Sequence, residues 1–150
     1  MRMFVDGDAF PNLLKPILFR QIERLHIETF VISNKHITIG KSKLISYIVV
    51  EQGADEADNH IVALVKEGDL VITADIPLAD RVISKNAHAI DHRGELYSTD
   101  NIKQYLAMRN LMEKIRESGE MTRGPKPFDQ KNAHQFANQL HKFLTKYCKI

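Results

Sequence analysis

The 150-residue chain has a single cysteine, Cys148. An intrachain disulfide is therefore excluded, no zinc site can be built from cysteine pairs, and a reducing cytoplasm is the compartment that fits. No apolar run approaches the roughly 20 residues that span a bilayer. Neither sign of charge dominates: 21 Lys and Arg stand against 19 Asp and Glu, a net of +2. That balance argues against strong sequence-independent binding of nucleic acid over the whole surface, while leaving room for a local basic path. The phosphate-cradling loops GxxxxGK(S/T) and GxGxxG are missing, as are the HExxH zinc spacing and the GxSxG nucleophile elbow. There is no internal repeat and no low-complexity segment. With 43% hydrophobic and 27% charged residues, the composition is that of a globular chain long enough for one real core.

What the sequence does have is short apolar strands that end in acids. Met3-Phe4-Val5 runs into Asp6 and Asp8, so the N-terminus reads as a strand rather than a signal peptide. Helical spacing follows from Pro11 to about Leu25, with Pro16 a misfit or a kink inside it. Ile27–Ile32 and Ile45–Val50 are expected strands, and Ala54–Glu67 an amphipathic helix stopped by Gly68. Leu70–Ala74 is a continuous apolar run, as a central parallel strand requires. Pro77–Lys85 reads as a short helix, Ala87–Ile90 as the last strand, and Asp91-His92-Arg93-Gly94 as a turn. Two further helices cover Asn101–Ser118 and Lys131–Lys146, with a loop between them. Alternating strands and helices predict a three-layer α/β/α fold with a mostly parallel central sheet. The expected unit is one domain over residues 1–150, an α/β core to about 98 with C-terminal helices from about 99 packing on it.

In open α/β sheets, ligands bind beyond the carboxyl ends of the strands. Asp6, Asp8 and Asp75 all fall at such ends. Gly7 is expected to permit unusual backbone angles and leave room for a ligand. Each acid also has a structural alternative. Asp8 could cap the following helix, Asp55 is a sound N-cap for the second helix, and Asp58 falls at its third position, where the helix dipole favours negative charge. Thr73 is placed to orient a carboxylate, and Asp80 lies about one helical turn beyond Asp75. Several carboxylates crowded together repel one another unless cations relieve them, and Mg²⁺ or Mn²⁺ would do so while promoting phosphoryl chemistry. The seven histidines show no zinc spacing and read as surface or packing residues. Arg93 follows the last strand, and Lys35, Lys41, Lys43, Arg123 and Lys126 lie in loops. They could form a basic rim for a nucleic-acid backbone, though solvated loops are the simpler reading of each alone.

Four segments together resemble a known family: Val5-Asp6-Gly7-Asp8-Ala9-Phe10-Pro11, Ala57-Asp58-Asn59-His60-Ile61-Val62, Gly68 through Ala79 (GDLVITADIPLA) and Arg93-Gly94-Glu95-Leu96-Tyr97. The chain is similar to the YaiI/YqxD-like family of uncharacterised bacterial proteins, and the resemblance covers nearly all of it. That family is similar in turn to the PIN-like superfamily, many of whose members are metal-dependent ribonucleases. On this resemblance Asp6, Asp58 and Asp75 would be catalytic. The same three with Asp8 and Asp80 would hold Mg²⁺ or Mn²⁺, and RNA would be the partner; the loop positions of Arg93, Lys41, Lys43, Arg123 and Lys126, not the resemblance, make them its candidate contacts. The sequence departs from the family pattern at Gly7, at Phe10 in place of cysteine, and at Asp91-His92 in place of Asn-Pro, but no acid is lost. Two alternatives remain open. Asp6-Gly7-Asp8 also matches the DxD start of haloacid-dehalogenase-like phosphatases, in which the first Asp attacks phosphorus. A non-catalytic module binding RNA or protein is the other.

Overall fold

Strand β1 (Met3–Asp6) buries all four of its residues and alternates between two cores. Met3 and Val5 face one side, with Leu14, Leu18, Ile22, Phe136, Leu140 and Leu144. Phe4 faces the other, with Ala57, Ile61, Val71, Leu78, Val82 and Ile102. A strand apolar on both faces has to be covered on both, and the layering follows from that. In the computed structural model, which describes residues 1–53, 55–119 and 127–148, the protein is an α/β fold built on one six-stranded sheet.

The other strands are β2 (Thr29–Ser33), β3 (Ile45–Val49), β4 (Leu70–Ile72), β5 (His88–Ile90) and β6 (Leu96–Tyr97). Their order is β3-β2-β1-β4-β5-β6. The first five are parallel, and β6 runs antiparallel to β5. Helices α1 (Lys15–Leu25) and α5 (Gln130–Tyr147) bury their apolar faces in the first core. Helices α2 (Glu56–Leu64) and α3 (Ile76–Ser84) lie in the second, with the start of α4 (Ile102–Glu117). The two C-terminal helices are thus divided between the layers. The spacing of Ala133, Phe136, Leu140, Phe143 and Leu144 gives α5 one continuous apolar stripe, and an Asp129–Asn132 capping box starts it.

Several sequence expectations are corrected. Pro16 does not kink a helix. Asn12–Leu14 forms a short 3₁₀ turn, α1 begins at Lys15, and Pro16 falls in its first turn, where a missing N–H costs nothing. Helix α2 ends at Leu64, before Gly68, because Val65 is already extended. The chain beyond it is drawn to Asp69, whose buried carboxylate accepts from Lys66 N at 2.9 Å, Arg2 N at 3.0 Å and Arg2 Nη2 at 3.0 Å. Strand β4 stops at Ile72, two residues short of the expected end. Strand β6 was not expected, and it follows the turn in which Asp91 Oδ1 accepts from Arg93 N and Glu95 N.

That turn is locked by Gly94, at φ +89°, where an added Cβ would stand 2.6 Å from the Gln135 carbonyl oxygen on α5. Gly68 has a similar φ of +87° but open space around it. The two positions separate backbone strain from steric overlap. Gly68→Ala is expected to cost about 1 kcal/mol, and Gly94→Ala about 2 kcal/mol or more, in urea unfolding of the purified chain. Equal costs would show that α5 yields to the methyl group.

Candidate active site

Because β1, β2, β4 and β5 are parallel, they release their chains at one edge, and the acids arrive there from separate elements. Asp6 is the last residue of β1 and only 8% exposed. A carboxylate so placed needs partners. Thr73, just past β4, donates its hydroxyl to Asp6 Oδ2 at 2.8 Å, and Asp8 N donates to Oδ1 at 3.3 Å. The Thr73 hydroxyl oxygen also accepts from Asp75 N at 3.0 Å, so one threonine orients two acids. Asp75 is the N-cap of α3, its Oδ1 accepting from Leu78 N at 3.0 Å.

Asp58, at the third position of α2, faces the same place, and its carboxyl lies within hydrogen-bonding reach of that of Asp75. Asp6, Asp8, Asp55, Asp58 and Asp75 together line an open cavity of about 350 Å³, with Ala9, Ala74 and His92. The structure thus gathers Asp6, Asp8, Asp58 and Asp75. Asp80 lies further along α3 and does not line this cavity.

Like charges and burial act together here. Burial foremost pushes the Asp6 carboxyl up to about 6; the Thr73 and Asp8 hydrogen bonds oppose it, and the charges of Asp8 and Asp75 add to it. Asp58 is pushed up to about 7, first by burial, then by the charges of Asp75, Asp6 and Asp55 and by its hydrogen bond with Asp75. His92 moves the opposite way, to about 4, because burial and then the Arg93 charge disfavour its cation.

The structural alternatives resolve unevenly. Asp8 does not cap the following helix; its Oδ1 accepts from Asn34 N at 2.9 Å, across from β2. Asp55 precedes α2 but makes no side-chain cap bond, because its backbone is left-handed at φ 66°, and it turns to the cavity instead. Asp75 is a cap, a role its strand-end position had hidden. At Gly7 an added Cβ would stand 2.8 Å from Ser33 Cβ, so the missing side chain admits Ser33 on that side, while Gly7 lines a cavity of about 390 Å³ with Asp8 and Lys35. The left-handed residue of that loop is Ala9, at φ 59°.

The basic residues divide by edge. Lys41 and Lys43 precede β3 and so belong to the amino end of the sheet, away from the acids. Arg93 lines a cavity of about 510 Å³ with Asp91, Glu95, Gln135 and Lys142, and its guanidinium stands 5.8 Å from the Phe128 ring centroid. Arg123 and Lys126 lie outside the described residues. The sequence reading missed two cavity-lining residues, Asp55 and His92. No sequence signal distinguished His92 from an ordinary turn residue.

The family model for the uncharacterised YaiI/YqxD family matches residues 4–146. The chain belongs to that family. A UPF0178 protein of Sulfurimonas denitrificans is 84% identical over 146 residues, covering 97% of each chain. Another, from Sulfurovum sp., is 71% identical over 99% of this chain and 100% of its own. One from Hahella chejuensis is 50% identical over 99% of each. No solved structure gives a significant match. No helix among the described residues is long and apolar enough to cross a membrane.

The raised carboxyls give a pH dependence with a definite sign. An acid with a higher pKa folded than unfolded holds its proton more tightly in the native state, so its contribution weakens as pH rises. For Asp58 the window runs from the ordinary 3.8 to about 7. Asp58→Asn removes that penalty. Its melting temperature is expected to exceed the parent's at pH 8, with the gap closing toward pH 4. A constant gap across that range would mean that Asp58 does not titrate as described.

Proposed function

We propose that this member of the YaiI/YqxD family is a divalent-cation-dependent hydrolase of phosphodiester bonds in RNA. One observation carries the reading: Asp6, Asp58 and Asp75 converge from β1, α2 and the β4–α3 junction on one open cavity. Among the described residues no lysine or arginine lines that cavity to offset their charge.

The donor set suits a hard cation, because it is all carboxylate oxygen apart from His92. It is not a ready-made cage: among the described residues, no three His, Cys, Asp or Glu side chains stand where they could hold a metal ion as they are. An ion here would have to be held through one or two carboxylates plus water and substrate oxygens, as Mg²⁺ commonly is. When bound, such a cation supplies Lewis acidity at a phosphate oxygen.

The chain's own residues divide the remaining work. Thr73 fixes Asp6 and Asp75 relative to each other, so that neither drifts from the edge. Asp58 holds a proton near neutral pH and is the group suited to move one. A bound cation would compete with that proton, so cation affinity is expected to rise with pH. For the substrate, two further cavities carry cations, and one of them adjoins the acids. One of about 390 Å³ shares Asp8 and Ala9 and carries Lys15 and Lys35. The other carries Arg93 and Lys142. A chain of phosphates running from the acids toward Asp8 and Ala9 would meet Lys15 and Lys35. Attack on phosphorus by Asp6 itself, the phosphatase alternative, is less suited, because no lysine or arginine among the described residues lines the cavity to hold the phosphate.

The test is cleavage of labelled RNA and single-stranded DNA by metal-free protein, with and without Mg²⁺ or Mn²⁺. Cleavage is expected only with a cation, and Asp6→Asn or Asp58→Asn is expected to slow it about 100-fold or more. Protein that binds cations yet leaves every RNA and DNA tested intact would overturn the nuclease reading and favour a binding module. A phosphorylated Asp6 would favour the phosphatase.

A further inference from the structure

The two edges of the sheet are finished differently. At one end β6 has only two residues and runs antiparallel to β5. An edge that short offers little to a further strand. At the other end stands β3, five residues reading Ile45-Ser46-Tyr47-Ile48-Val49. It holds no charge and no proline, the usual guards of an exposed edge. Among the described residues, β3 pairs with β2 alone and no strand lies beyond it.

The direction of its main-chain groups follows from the ladder. Leu44 O accepts from Thr29 N at 2.8 Å, and Val50 N donates to Ser33 O at 2.9 Å, so both residues turn toward β2. Main-chain groups alternate along a strand, so Ser46 and Ile48 also face β2, while Ile45, Tyr47 and Val49 face outward. The Ile45 N–H is held by Ser42 O at 3.3 Å. The Ile45 carbonyl and both main-chain groups of Tyr47 and Val49 have no main-chain partner among the described residues. The strand is nevertheless held in place. The Tyr47 hydroxyl donates to Gly40 O at 2.6 Å and accepts from Ile39 N at 3.1 Å and Gly40 N at 3.2 Å. Val49, at its end, is 55% exposed.

We propose that β3 pairs antiparallel with β3 of a second copy, about a two-fold axis at Tyr47, to make one continuous sheet. That register pairs every outward residue: Tyr47 lies opposite Tyr47, and Ile45 opposite Val49 of the second copy. It also covers the exposed Val49 with a β-branched neighbour. The same register sets Lys43, just before the strand, opposite Glu51, just after it, at both ends of the pair. Opposite charges facing each other across an antiparallel pair favour it. This complementarity belongs to two copies of one edge, and it selects a second copy over an unrelated peptide. Antiparallel pairing turns the two acid clusters to opposite edges of the joined sheet, so the inference stands apart from the cation reading. A single short strand pair is smaller than a standard interface of about 800 Å² per partner, and the expected dissociation constant is ~10–100 μM.

Sedimentation velocity of the full chain from about 5 μM to about 1 mM is expected to show monomer passing to dimer. Hydrogen exchange of the same samples is expected to slow by ~10-fold or more at the Tyr47 and Val49 amides as the dimer forms. Val49→Pro removes an outward N–H without touching the ladder to β2, and is expected to weaken association by ~10-fold or more. Glu51→Lys sets a lysine against Lys43 and is expected to weaken it by about 5-fold, while adding Lys43→Glu restores the parent value within about twofold.

A chain that stays monomeric to about 1 mM would overturn the proposal. So would a dimer whose Tyr47 and Val49 amides exchange as fast as in dilute protein, or a double charge swap that restores nothing. Exchange in the parent decides the matter even if Val49→Pro folds poorly.

Discussion

The candidate site depends on β1 having parallel partners on both sides. Met3, Phe4 and Val5 pair with Thr29, Phe30 and Val31 of β2 and with Leu70, Val71 and Ile72 of β4. In a parallel sheet every strand leaves at the same edge, so this register alone brings the chain after β1 beside the chain after β4. Asp6 and Thr73 are 67 residues apart in sequence yet 2.8 Å apart in space. Helices α2 and α3 pack on one face of the sheet, and their N-termini deliver Asp58 and Asp75 to that edge. A slip of one residue in β1 would turn Phe4 toward the wrong core and carry Asp6 away from Thr73.

Much of this was legible from short patterns. Continuous apolar runs marked β1 and β4 as buried strands, and strand-end acids marked the edge at which Asp6, Asp8 and Asp75 gather. The three-layer arrangement followed from the alternation of strands and helices. What failed was decided by tertiary contacts. Two residues, Leu96 and Tyr97, are too few to show a period, so β6 is visible only through the Asp91 turn that folds it back on β5. Asp55 looked like a cap by position, but its left-handed backbone leaves it unable to act as one. Pro16 looked like a fault only while one helix was assumed to begin at Pro11. Lys41 and Lys43 looked like rim residues until the direction of β3 put them at the opposite edge.

His92 shows a different limit. In the sequence it sits among turn residues, Asp91 before it and Arg93-Gly94 after it, and histidine in a turn is unremarkable. Its burial comes from Phe10, some 80 residues earlier, which enters the core after β1. Its cavity is shared with a helix and two strand ends. No local pattern encodes that combination. An unpaired buried nitrogen is a property of the folded chain alone.

Structural roles account for some of the acids and not for others, and the remainder is what the cation reading proposed above would explain. Asp75 caps α3, and Asp8 accepts from the Asn34 amide. Both would be useful in a protein with no site at all. Asp58 gains a little from the start of the α2 dipole, but its carboxyl neighbours are Asp75, Asp6 and Asp55, each of which disfavours its charge. Asp6 is buried at the end of the central strand, where an apolar residue would stabilise the fold without needing Thr73. Folds tend to retain such local conflicts where function needs them. Here the conflict is an excess of negative charge that the chain relieves only by holding protons. On the cation reading proposed above, an ion would compete with those protons for the same oxygens, and more successfully as pH rises.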